Sequence, residues 1–104
     1  MDNKYKVKLS MKAKEDFKGI VLYIKNQLKE PVIAKNYATI IKEEINKLEY
    51  YPAKFAIIDD SIKDLGIRKL NIKNYIVFYR VIEEDKVVSV ERILYGASNW
   101  INKL

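Results

Sequence analysis

A chain of 104 residues that is 49% hydrophobic and 33% charged predicts one folded domain over 1–104, neither disordered nor too short to form a core. Twenty Lys and Arg against 14 Asp and Glu leave a net charge of +6, which suits a polyanion or an acidic protein as partner. Cysteine and histidine are both absent, which excludes disulfides, thiol nucleophiles, thiolate or imidazole metal sites and a His-based triad.

In chain order, Tyr5 to Ser10 (YKVKLS) alternates with period two, with Tyr5, Val7 and Leu9 on one face and lysines on the other. That is a half-exposed strand, and its outward lysines discourage edge pairing. Ser10 is placed to cap a helix from Met11 to about Lys29, with an apolar stripe at Phe17, Ile20, Val21, Ile24 and Leu28. Pro31 opens a second helix to about Tyr50, with Ala34, Tyr37, Ala38, Ile41, Ile45 and Leu48 as its stripe. Residues 53–65 are ambiguous: Phe55 to Ile58 reads as a short strand or an apolar anchor, and Asp59, Asp60 and Ser61 as a solvated turn. Three strands follow, from Gly66 to about Ile72, Tyr75 to Ile82 and Lys86 to Tyr95, joined at Lys73-Asn74 and at Glu83-Glu84-Asp85. After Gly96, residues 97–104 predict a short helical tail with Trp100, Ile101 and Leu104 as apolar contacts. The expected class is α+β in the order β-α-α-β-β-β, with the N-terminal strand and helical hairpin packed on one face of a twisted antiparallel sheet. No run approaches a membrane span and the first ten residues lack a signal-peptide core, so a cytoplasmic protein without metal or cofactor is expected.

The stretch 66-GIRKLNIKNYIVFYRV-81 contains Arg68, Lys69, Lys73 and Arg80 and no acid. In its second strand Tyr75, Val77, Tyr79 and Val81 form an uncharged face suited to the helices. Ile76, Phe78, Arg80 and Ile82 form the other face. Glu91 and Arg92 of the last strand point to opposite sides, so one of them shares a face with Arg80. Glu91 would make a cross-strand ion pair there; Arg92 would make a paired-arginine site for an anion or acidic partner. The face around Ile76 and Phe78 is apolar enough to receive an acidic or amphipathic helix, and the alternative is that the Trp100 tail folds over it. The partner reading is preferred.

The order of elements, with Ala34, Leu48 and Pro52 around the second helix, then Gly66-Ile67-Arg68-Lys69-Leu70, Tyr75-Ile76-Val77-Phe78-Tyr79-Arg80-Val81 and Arg92-Ile93-Leu94-Tyr95-Gly96, resembles the RelE/ParE superfamily of bacterial toxins. The resemblance spans nearly the whole chain. It implies the toxin of a type II toxin–antitoxin system, of the kind tied to growth inhibition and plasmid stabilisation, neutralised by an acidic antitoxin. RelE-like members are mRNA interferases that cut mRNA in the ribosome; ParE-like members inhibit DNA gyrase. RelE-like toxins usually carry an arginine directly after the tyrosine that opens the middle strand, where this chain has Ile76. A basic residue usually follows the glycine, where Ala97 and Ser98 stand, and the late Tyr or His-Tyr is missing from Trp100-Ile101-Asn102-Lys103-Leu104.

The reading is therefore a ParE-like toxin that acts by binding a macromolecular target such as gyrase. The alternative is an mRNA endoribonuclease using Lys69 and Arg80 on the phosphate and Tyr95 for proton transfer. A further alternative is a non-toxic degenerate member that only binds its antitoxin. Arg68, Lys69, Lys73, Ile76, Phe78, Arg80, Arg92 and Trp100 are the expected partner-binding set.

Overall fold

A computed structural model describes residues 4–52 and 66–104. The expectations for Phe55–Ile58 and for the Asp59-Asp60-Ser61 turn fall outside the described residues, as does the side chain of Ile101.

Strand β1 (Lys6–Leu9) keeps the expected alternation, lysines out and Val7 and Leu9 half-buried. It ends at Ser10, whose hydroxyl oxygen accepts the Ala13 amide at 3.0 Å and so caps helix α1 (Met11–Leu22). The helix was expected to continue to about Lys29. It instead widens into a π-helical turn over Tyr23–Gln27, in which the Leu28 amide bonds the Tyr23 carbonyl at 3.1 Å. The extra residue in that turn keeps Ile24 buried but carries Leu28 out of the stripe, leaving it 52% exposed. Lys29, with a φ of 55°, reverses the chain. Pro31 then takes the first turn of helix α2 (Pro31–Asn46), which closes in a 3₁₀ turn over Lys47–Glu49. Ala34, Ile41, Ile45 and Leu48 are buried as their spacing requires, and Tyr37 and Ala38 are half-buried.

Strands β2 (Arg68–Ile72), β3 (Tyr75–Ile82) and β4 (Val87–Tyr95) form the expected antiparallel meander. The sheet order is β1-β4-β3-β2. The sheet is mixed and not purely antiparallel, because β1 joins it as an edge strand parallel to β4. The helical hairpin supplies the crossover that a parallel pair needs. The class remains α+β, with both helices on one face.

That face carries the main core, in which Val77, Tyr79, Val88, Val90 and Ile93 meet Ala13, Ile20, Ile41 and Ile45. The Tyr79 hydroxyl donates to the Pro52 carbonyl at 2.6 Å, so the phenol is satisfied although fully buried. Burial pushes its pKa up to about 12.

Candidate functional site

The second face of the sheet was expected to lie open. It holds a smaller core of Ile67, Ile76, Phe78 and Leu94, covered by Trp100 of the C-terminal 3₁₀ turn (Trp100–Lys103) and by Leu104, which follows it. Phe78 is 0% exposed and its ring centroid lies 5.0 Å from that of Trp100. The tail therefore occupies the patch, because apolar area of this size is stabilised by the nearest apolar side chains available. Phe78 cannot touch a partner in this conformation, and Ile76 reaches the surface only at a small hollow beside Gly96.

Arginine 92 fastens the tail. Its Nε and Nη2 donate to the two carboxylate oxygens of Asp16 at 2.7 and 2.9 Å, and its Nη1 donates to the Lys103 carbonyl at 2.9 Å. The hydrogen bond to Asp16 raises the guanidinium pKa further. Asp16 also accepts the Ile93 amide at 3.0 Å. Ser10 acts in parallel: its amide donates to the Val90 carbonyl and its hydroxyl to the Glu91 carbonyl at 2.8 Å. Together they satisfy the edge of β4 beyond the last β1 pair, Leu9–Val90.

Both placements considered for Glu91 and Arg92 occur at once, because β4 carries a bulge. Phe78 pairs with Arg92 and Tyr79 with Val90, which leaves Glu91 as the extra residue. Glu91 Oε2 lies 3.9 Å from Arg80 Nε and accepts the Ser89 hydroxyl at 2.6 Å. Arg80, Glu91 and Arg92 thus line one hollow of about 310 Å³, floored by Ile67 and Leu104. No paired-arginine anion site results, because each arginine faces a carboxylate.

The basic stretch is dispersed in space. Arg68 pairs with Tyr79 in the β2–β3 register and so shares the helix-side face, whereas Lys69 pairs with Phe78 on the tail side. The Lys69 ammonium sits 6.0 Å from the centre of the Trp100 ring. Lys73 is at the hairpin tip with a φ of 56°. Lys69 and Arg80 are diagonal neighbours on one face. Tyr95 pairs with Tyr75 at the opposite end of β3, roughly 17 Å from Arg80 at ~3.4 Å per residue, and its ring contacts Tyr75 on the helix side. Lys69, Arg80 and Tyr95 are not brought together.

The sequence assigns Tyr37 to the α2 stripe, Tyr75 to the helix-side face and Tyr95 to a strand end, but does not show that they meet. Tyr75 meets Tyr37 edge-on at 6.3 Å and Tyr95 at 5.9 Å, and burial followed by these phenol neighbours raises its pKa. The signal was present in the eight tyrosines, three of which (Tyr23, Tyr75, Tyr95) fall at element ends that the fold brings together around Tyr37 of α2. Among the described residues no group of His, Cys, Asp and Glu is placed to hold a metal ion.

Residues 7–100 match the family model described as the ParE toxin of the type II toxin–antitoxin system parDE. The chain belongs to the ParE toxin family. It is thus a toxin of the type II kind within the wider RelE/ParE group. The fold of this ParE-family chain resembles a chain of the chromosomal ParDE system from P. aeruginosa, with a TM-score of 0.73, 22% identity, and coverage of 89% of this chain and 97% of that one. It also resembles a chain of the archaeal RelE–RelB complex from Pyrococcus horikoshii OT3, with a TM-score of 0.64, 21% identity, and 90% and 97% coverage. A third likeness is to the RelBE2 toxin–antitoxin complex of Mycobacterium tuberculosis, with a TM-score of 0.63, 18% identity, and 91% and 94% coverage. No curated protein matches. No helix among the described residues is long and apolar enough to cross a membrane.

Proposed function

We propose that this ParE-family toxin inhibits growth in the cytoplasm by binding a macromolecular target, with DNA gyrase as the first candidate, and that a cognate acidic antitoxin neutralises it. The observation that carries the reading is the separation of Tyr95 from Lys69 and Arg80. A phosphoryl-transfer site needs its charge-stabilising and proton-transferring groups around one reacting atom. Here Lys69 and Arg80 share a face but are held beside Trp100 and Glu91, Arg92 on that face is engaged by Asp16, and the tyrosine lies at the other end and on the other side of the sheet. Ile76, standing where a nuclease relative carries arginine, is 8% exposed and belongs to the apolar floor. The family match to a ParE model points the same way, and the solved ParDE and RelBE complexes support an antitoxin partner.

The test is induced expression in a bacterial host, followed by isolation of DNA and mRNA. Growth arrest with gyrase-linked DNA breaks and intact mRNA is expected. Cuts in mRNA that depend on the ribosome, abolished by Lys69→Ala with Arg80→Ala in a folded protein, would restore the nuclease reading. Normal growth at high expression would identify a member that only binds its antitoxin.

A further inference from the structure

A hollow of about 720 Å³ lies on the helix side. Its walls are the last turns of the α1 region, the start of α2 and the ends of β3 and β4. Tyr23, Tyr37, Tyr75 and Tyr95 all face it. In a chain with 20 Lys and Arg, no basic residue lines it among the described residues; its only charged groups are Glu15 and Asp16. Asp16 is already bonded to Arg92 and to the Ile93 amide. Glu15 is exposed and close enough to help hold the Arg92 charge, but it makes no direct salt bridge among the described residues.

Helical spacing puts Glu15, Gly19 and Tyr23 in one row along α1. Gly19 has no side chain, and a Cβ built there meets nothing within 4 Å. The row is therefore a notch with a carboxylate at one end and phenol rings at the other. The π-helical turn belongs to the same wall, since it sets Tyr23 at the rim, 51% exposed, beside the exposed Leu28 and Ile33. Carboxylate and aromatic faces together attract a cation with an apolar stem, and most strongly a guanidinium, which is planar and weakly hydrated. A phosphate backbone would be repelled by Glu15 and would find no cation here.

We propose that this groove docks a polypeptide segment that carries an arginine between apolar side chains, with the guanidinium seated in the Gly19 notch between Glu15 and the tyrosines. Leu28 and Ile33 receive the flanking apolar residues. The surface is separate from the Arg80–Arg92 hollow and would be used together with it, not in its place.

The probe is a short synthetic peptide of leucines and alanines around one central arginine, titrated into the purified full chain while the ring resonances of its tyrosines, phenylalanines and tryptophan are followed by NMR. The expected result is shifts at Tyr23, Tyr75 and Tyr95, with affinity falling about tenfold when citrulline replaces arginine. Glu15→Gln should weaken binding by a similar factor, and Tyr95→Phe should leave it unchanged because the ring face is kept. Gly19→Leu should abolish binding while the fold is retained, since the new side chain enters empty space on a helix. Four results would overturn the proposal: equal binding of the citrulline peptide, shifts confined to Phe78 and Trp100, no binding of the arginine peptide, or self-association of the chain that Gly19→Leu abolishes. The last would make the groove a contact between two copies. None of these measurements reads growth arrest or gyrase, so their failure leaves the proposed function standing.

Discussion

The Asp16 carboxylate accepts from both sides of the Arg92 guanidinium and from the Ile93 amide. Losing it strands a partly buried cation and a strand-edge N–H together. Asp16→Ala should therefore cost about 2–3 kcal/mol in urea unfolding. Asp16→Asn, which keeps an acceptor for Ile93, should cost visibly less; equal losses would mean the amide bond is immaterial. Tyr79 offers a second residue-scale test. Tyr79→Phe leaves the Pro52 carbonyl without its donor and should cost about 1–3 kcal/mol. The folded phenol holds its proton to higher pH than the unfolded one, at about 12 against 10. Its stabilisation is thus complete below pH 10 and is lost as pH rises towards about 12. The phenylalanine variant should lack that alkaline limb of the stability–pH curve. Neither pair was legible in the sequence, because Asp16 lies 76 positions from Arg92 and nothing local marks either as a partner.

At the scale of elements, the periodic signals held wherever one element decides its own pattern. Tyr75–Ile82 alternates between two faces as read, although the face expected to lie open is a second core, and the stripe of α2 is buried as read. The departures arise where two elements must fit each other. The π-helical turn of Tyr23–Gln27 leaves no trace in hydropathy, since each of its residues suits an ordinary helix. The bulge at Glu91 depends on the pairing with β3, and the cover over Phe78 depends on the reach of the tail. Gly19, in contrast, is a weak point that the sequence does show. It sits within α1 with free space beside it, so Gly19→Ala should raise stability by about 1 kcal/mol, read as a higher thermal midpoint. A lower midpoint would mean that the notch is filled by something other than solvent. The tail has its own optical reporter. Trp100 is the sole tryptophan and lies against Phe78, so its emission should shift to the red when the tail is displaced or residues 83–96 are destabilised. Emission unchanged upon binding of an antitoxin would show that the tail stays in place.

For the molecule as a whole, the charge and the fold have separate roles. The net charge of +6 sets which partners approach, while the acid-lined, tyrosine-rich groove departs from that balance at one place. The basic stretch that dominates the sequence is divided by the pleat of the sheet, Arg68 to one side and Lys69 with Arg80 to the other. Charge density along a chain is thus a poor guide to charge density on a surface once strands alternate. The parallel pairing of β1 with β4 has a consequence in time. Lys6 stands in register with Val87 and its amide donates to the Lys86 carbonyl, so the first strand made waits for the last strand before it has a neighbour in the sheet. Contacts of such long sequence separation form late, after the loop between them has closed. Throughout the synthesis of α1, α2, β2 and β3 the first strand therefore stands without its partner, and its outward lysines keep that open edge from pairing with another chain in the meantime.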